Sequence, residues 1–86
     1  MSQHGDCDDA SDYCKKGYFK YCLQDYHGAL IDYTRAIELK PCCGSAYNNR
    51  ALIHQLLDQH IEAVADFKRA KDFGFPVDLK DLNPQN

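Results

Sequence analysis

No apolar run in these 86 residues approaches the length needed to cross a membrane, so a transmembrane helix is not expected. The start, Met1-Ser2-Gln3-His4, lacks a basic stretch followed by an apolar one and is not a myristoylation start. Met1 reads as a natural start and the expected compartment is the cytosol. No glycine-rich phosphate loop, nucleophile elbow or paired His–Glu metal motif is present, which argues against an enzyme. Basic residues form no stripe, which argues against nucleic acid as a partner. Cysteine is not scarce, but Cys7, Cys14, Cys22, Cys42 and Cys43 contain no C-x-x-C pair and are odd in number. Reduced thiols are expected, with Cys14 and Cys22 acting as small hydrophobes on a helix. The net charge of −3 is uneven: Asp6, Asp8, Asp9 and Asp12 give the first twelve residues −4. That acidic start reads as solvated, with Asp8 or Asp9 at the positive end of a first helix.

What the chain does have is an internal repeat. Shifted by 34 residues, Ser11 falls on Ser45, Tyr13 on Tyr47, Leu23 on Leu57, Ala29 on Ala63, Asp32 on Asp66, Arg35 on Arg69 and Ala36 on Ala70. Near-matches keep the register: Lys16 with Arg50, Gly17 with Ala51, Leu30 with Val64 and Tyr33 with Phe67. A period of this length marks stacked supersecondary units, which offer surface to partners. Apolar spacing and breakers predict four helices, over 9–24, 26–39, 45–57 and 60–73. Pro41 stops the second, Ser45 is the expected N-cap of the third, and Gly74 is the expected left-handed residue closing the fourth. Short turns make neighbours antiparallel. The fold class predicted is therefore all-α, a superhelix of two helical hairpins.

Small residues at matched phases carry the packing argument. Gly17 and Ala51 sit inside the first helix of each pair, Ala29 and Ala63 early in the second, facing the rings of Tyr13, Tyr26, Tyr33, Tyr47 and Phe67. A helical glycine costs about 0.5–1 kcal/mol relative to alanine, so Gly17 predicts a close neighbour. His60 stands at an aromatic inter-helix phase and reads as packing. Asp32 with Arg35, and Asp66 with Arg69, read as exposed i,i+3 ion pairs of small energetic value. His27 and His54 read as surface or packing residues.

These residues resemble the tetratricopeptide repeat family. The first repeat matches at Tyr13, Gly17, Tyr26, Ala29, Tyr33, Ala36 and Pro41, and the second at Tyr47, Ala51, Ala63, Phe67 and Ala70. His60 replaces an aromatic, and the closing proline is displaced to Pro76. The organisation expected is an acidic, flexible stretch at 1–9, repeats at 10–43 and 44–77, and a short cap or tail at 78–86; Val77, Leu79 and Leu82, in the stretch from Pro76 on, form one turn over the last pair. The resemblance implies a protein–protein interaction module, an adaptor or co-chaperone-like scaffold. Its concave groove would hold a peptide or helix of a partner.

By the family's phases the groove would be lined by Ser11, Cys14, Tyr18, Tyr21, Cys22, Ser45, Asn48, Asn49, Leu52 and Gln55. This surface is almost uncharged and suits an apolar or aromatic-anchored peptide, with the amides bonding its backbone. Some members hold acidic chaperone tails in a clamp of lysine, arginine and asparagine. Asn49 fits that clamp, but Cys14 and Tyr18 stand where lysine and asparagine are wanted, and later phases fall on Leu79 and Asn83. Chaperone-tail binding is therefore not expected. Two repeats with a stub of cap leave an apolar flank uncovered, which predicts self-association or docking on a larger partner through the second pair. The rival reading is a small metal- or redox-responsive thiol protein, using His4, Cys7 and Cys14 or the vicinal Cys42–Cys43. The spacing is too loose for a structural zinc site, and neither metal nor cofactor is predicted.

Overall fold

The computed structural model describes residues 6–76. The predicted cap at 78–86 and the first five residues lie outside them. Four helices follow one another: α1 (Asp6–Cys22), α2 (Tyr26–Leu39), α3 (Gly44–Leu56) and α4 (His60–Asp72). No strand occurs among the described residues. α1 packs on α2 and α3 on α4 as antiparallel hairpins; α2 then packs on α3, and α1 meets α3 only thinly. Consecutive hairpins lying in series make an all-α solenoid rather than four helices about a shared axis.

Alanines buried at the interfaces let the helices approach. Ala10, Ala36 and Ala46 form one cluster where α1, α2 and α3 meet. Ala29, Tyr33 and Ile53 form a second, and Ala51, Ala63 and Phe67 a third inside the α3–α4 hairpin. The small–large pairing read from the repeat is visible at Gly17. A Cβ built there would lie 3.0 Å from the buried Tyr33 ring. In the second hairpin, Ala51 and Phe67 meet at the matching positions. Tyr47 is buried and stacks on Phe73, with ring centroids 5.7 Å apart.

Three helices end in the same way. Asp25 N–H donates to the Lys20 carbonyl at 2.8 Å and Gln24 N–H to that of Tyr21 at 2.9 Å. Gln59 and Asp58 repeat this pair of bonds on His54 and Gln55, and Phe75 and Gly74 on Ala70 and Lys71. These are the two bonds of a Schellman motif, which needs a left-handed residue at its turn. That residue is Gln24 at φ 65°, Asp58 at φ 61° and Gly74 at φ 90°. Gly74 was the expected one. The left-handed turn at Gln24 ends α1 at Cys22, short of the expected boundary, while its other end begins at Asp6 and takes Asp8 and Asp9 inside the helix. α2 starts under Asp25, whose side chain accepts from Gly28 N–H at 3.1 Å, and stops before Pro41.

Four expectations need correction. Ser45 is not the N-cap of α3: the helix begins at Gly44 behind Cys43 with no side-chain cap, and Ser45 Oγ lies 3.4 Å from Cys43 Sγ. His60 is not packed between helices. It starts α4 with its side chain 61% exposed, 3.7 Å from Asp58. Cys22 is exposed rather than a buried hydrophobe. The acids at 32 and 66 are not surface partners of Arg35 and Arg69. Both are buried, and their partners come from the first helix of their own hairpin.

Candidate functional site

The repeat places a carboxylate at the same buried point of each hairpin and answers it differently. In the first, Lys20 runs its stem over Gly28 and brings Nζ to 3.0 Å from Asp32 Oδ2, with no aligned hydrogen bond. In the second, Arg50 donates to both oxygens of Asp66, Nε to Oδ2 at 2.7 Å and Nη2 to Oδ1 at 2.9 Å. This bidentate pairing holds the Arg50 pKa above its ordinary value, chiefly through the hydrogen bonds to Asp66. His54, the counterpart of Lys20, sets Nε2 3.6 Å from Asp66 Oδ2 and shares a 2.6 Å hydrogen bond with Gln59 through Nδ1. Arg50 also donates from Nη1 to Thr34 Oγ1 at 3.2 Å, tying α3 to α2 of the preceding hairpin. Among the described residues its counterpart Lys16 has only the matching ring contact: its Nζ lies 5.0 Å from the Tyr13 centroid, as Arg50 lies 5.7 Å from that of Tyr47.

With these buried charges paired inside each hairpin, the cleft between α1 and α3 has an uncharged lining. Tyr18, Tyr21, Asn49 and Leu52 come together there over a floor of Tyr33 and Ile53, around a cleft of about 40 Å³. Tyr18 is 59% exposed and Leu52 41%. The Tyr18 and Tyr21 rings are 5.9 Å apart and tilted, and Tyr21 continues to Tyr26 at 6.1 Å. The Cys22 thiol, one turn on, is the first cause that raises the Tyr18 hydroxyl pKa. Tyr33, beneath, is pushed up as well, first by burial and then by the Cys14 and Cys22 thiols. Four of the expected groove residues thus line the cleft. Cys14 is half-buried against the core, and Cys22, Ser11 and Ser45 are exposed but do not line the cleft. Asn48 is half-buried and does not line the cleft.

Gln55 turns elsewhere. It lines a shallow depression of about 520 Å³ with His60, Ile61, Ala63, Val64, Ala65 and Lys68 on the outer side of α4. Ile61 is 85% exposed there. The pair Ile61 and Val64, one turn apart beyond the helix start, is the sequence signal for this flank. The specific residues were not among the expected site. No three His, Cys, Asp or Glu side chains converge as metal ligands among the described residues, and His4 lies outside them.

The register of buried alanines, the ring over Gly17 and the hairpins in series meet a further finding: residues 44–72 match the family model described as tetratricopeptide repeat. The chain carries a tetratricopeptide repeat. The match spans α3 and α4, 29 of the 86 residues, and the first hairpin has the same build at a 34-residue offset. No curated protein matches the chain. Tetratricopeptide repeats are in general protein–protein interaction units and not enzymes. Among the described residues no helix is long and apolar enough to cross a membrane.

Proposed function

We propose that this chain is an adaptor that holds a peptide segment or helix of a partner protein across the face shared by α1 and α3. The observation that carries the reading is the exposure of Tyr18 and Leu52 on neighbouring helices above one cleft. Large apolar side chains kept in water are recovered when a partner covers them, at roughly 25 cal/mol per Å². The cleft has room for little more than one water, whose share of liquid volume is about 30 Å³. The partner therefore lies across the tyrosines instead of inserting a large anchor. Asn49 supplies the amide that bonds an extended backbone, and Asn48 stands next to it on α3. The neutrality of the lining selects against acidic chaperone tails, and the four free thiols among the described residues suit a cytosolic setting.

Capture from lysate by the wild type is compared with capture by a Tyr18→Ala, Leu52→Ala double variant, with helicity checked by circular dichroism. Loss of a discrete set of captured proteins is expected. Equal capture by a folded double variant would remove binding from this face.

A second reading, self-association through the outer side of α4, is favoured by the exposure of Ile61 above its depression. Sedimentation should then show a concentration-dependent dimer that Ile61→Lys abolishes. A monomer at all concentrations removes that reading and leaves the first intact.

A further inference from the structure

Two thiols from different elements share one patch of core. Cys14 lies midway along α1, and Cys43, 29 residues later, is the cap residue before α3. Both pack against the cluster of Ala10, Ala36 and Ala46, where the first hairpin meets the second. Burial first, and then the neighbouring Cys43 thiol, raises the Cys14 pKa to about 11. Cys22 and Cys42 are exposed and do not pack on this patch.

We propose that Cys14 and Cys43 form a reversible intramolecular disulfide that staples α1 to the start of the second hairpin, with a small disulfide such as glutathione disulfide as oxidant. Burial disfavours the Cys14 thiolate, so Cys43 reacts first. Its thiolate attacks one sulfur of the oxidant, forming a Cys43–glutathione mixed disulfide and releasing one glutathione thiolate. Cys14 then loses its proton to water, attacks Cys43 Sγ and expels the second glutathione. Two protein thiols are oxidised, one glutathione disulfide is reduced to two thiols, and the two protons lost by Cys43 and Cys14 pass through solvent to the released glutathione thiolates. The adjacent Cys42 is a poor competitor. Its Cα is only about 3.8 Å from that of Cys43, short of the roughly 4.4–6.8 Å that an unstrained disulfide spans. α1 and α3 meet only thinly, so the bond would set the opening between the two helices that carry the tyrosine cleft. The inference stands whether or not that cleft binds a peptide.

The full chain is incubated with glutathione disulfide at pH 8 without denaturant, and the products are mapped by mass spectrometry after digestion. A mass loss of about 2 Da assigned to Cys14–Cys43 is expected, with Tm raised by at least about 5 °C. Cys42→Ser should behave like the wild type, and Cys14→Ser should stop at a glutathione adduct on Cys43. A disulfide involving Cys42 or Cys7, links only between chains, or no disulfide would overturn the proposal. So would a Cys14–Cys43 bond that leaves Tm unchanged or lowers it, since it would then hold no native contact.

Discussion

Asp66 shows what a buried charge demands of its neighbours. Its carboxylate is 8% exposed and satisfied by two aligned bonds from Arg50, whereas Asp32 faces a lysine that is itself 39% exposed. Removing one partner of a buried pair leaves the other uncompensated. Asp66→Ala should therefore cost about 2–3 kcal/mol in urea denaturation, and Asp32→Ala nearer 1 kcal/mol, because Lys20 returns to water. The sequence pattern pointed both acids at Arg35 and Arg69, three residues on. Their actual partners lie 12 and 16 residues earlier, on another helix, where no helical period reaches. A second consequence concerns alkali. Burial raises the pKa of Cys14 from 9.0 to about 11 and also raises that of Tyr33. The folded state keeps protons that the unfolded chain has lost, so this stability is complete below about pH 9 and falls as pH rises toward 11. Loss of roughly 1–2 kcal/mol between pH 8.5 and 11 is expected in urea melts, after allowance for partial exposure. Tyr33→Phe, which keeps the ring over Gly17, should flatten the upper part of that fall.

The helices themselves were largely legible, because periodicity, Pro41 and Gly74 are local signals. Their ends were less so. Gln24 and Asp58 occupy left-handed turns at equivalent points of the two hairpins, and neither residue type announces that conformation. Only the bonds from Asp25 and Gln59 back to Lys20 and His54 reveal the motif. A side chain in this region costs about 1 kcal/mol that glycine avoids. Gln24→Gly and Asp58→Gly should each raise stability by about 0.5–1 kcal/mol, read as a shift of the urea midpoint without change in slope. Ser45 was misjudged for a related reason. A hydroxyl before an apolar stretch is the usual start signal, but the chain already turns into helix at Gly44, whose missing Cβ leaves room for Phe75 and the Ala70 carbonyl.

For the molecule as a whole, α3 is the hub: it touches α1, α2 and α4, while α4 packs on α3 alone among the described elements. Native-state hydrogen exchange should find the slowest amides in α2 and α3 and faster ones in α4. Protection in α4 equal to that in α3 at low concentration would show that something covers its outer side. Of the candidate site, Tyr18, Tyr21, Asn49 and Leu52 were legible because the 34-residue register fixes which way α1 and α3 face. Gln55 was not, since its position near the end of α3 lets it lean toward α4.

The contact from Arg50 to Thr34 also makes the two units non-interchangeable. Exchange their order in the gene, and the new seam would join the counterparts of those residues, Lys16 and Lys68, setting two ammonium groups face to face. Modules of the same build would then refuse to stack, so the direction in which this chain is read is recorded in a single guanidinium.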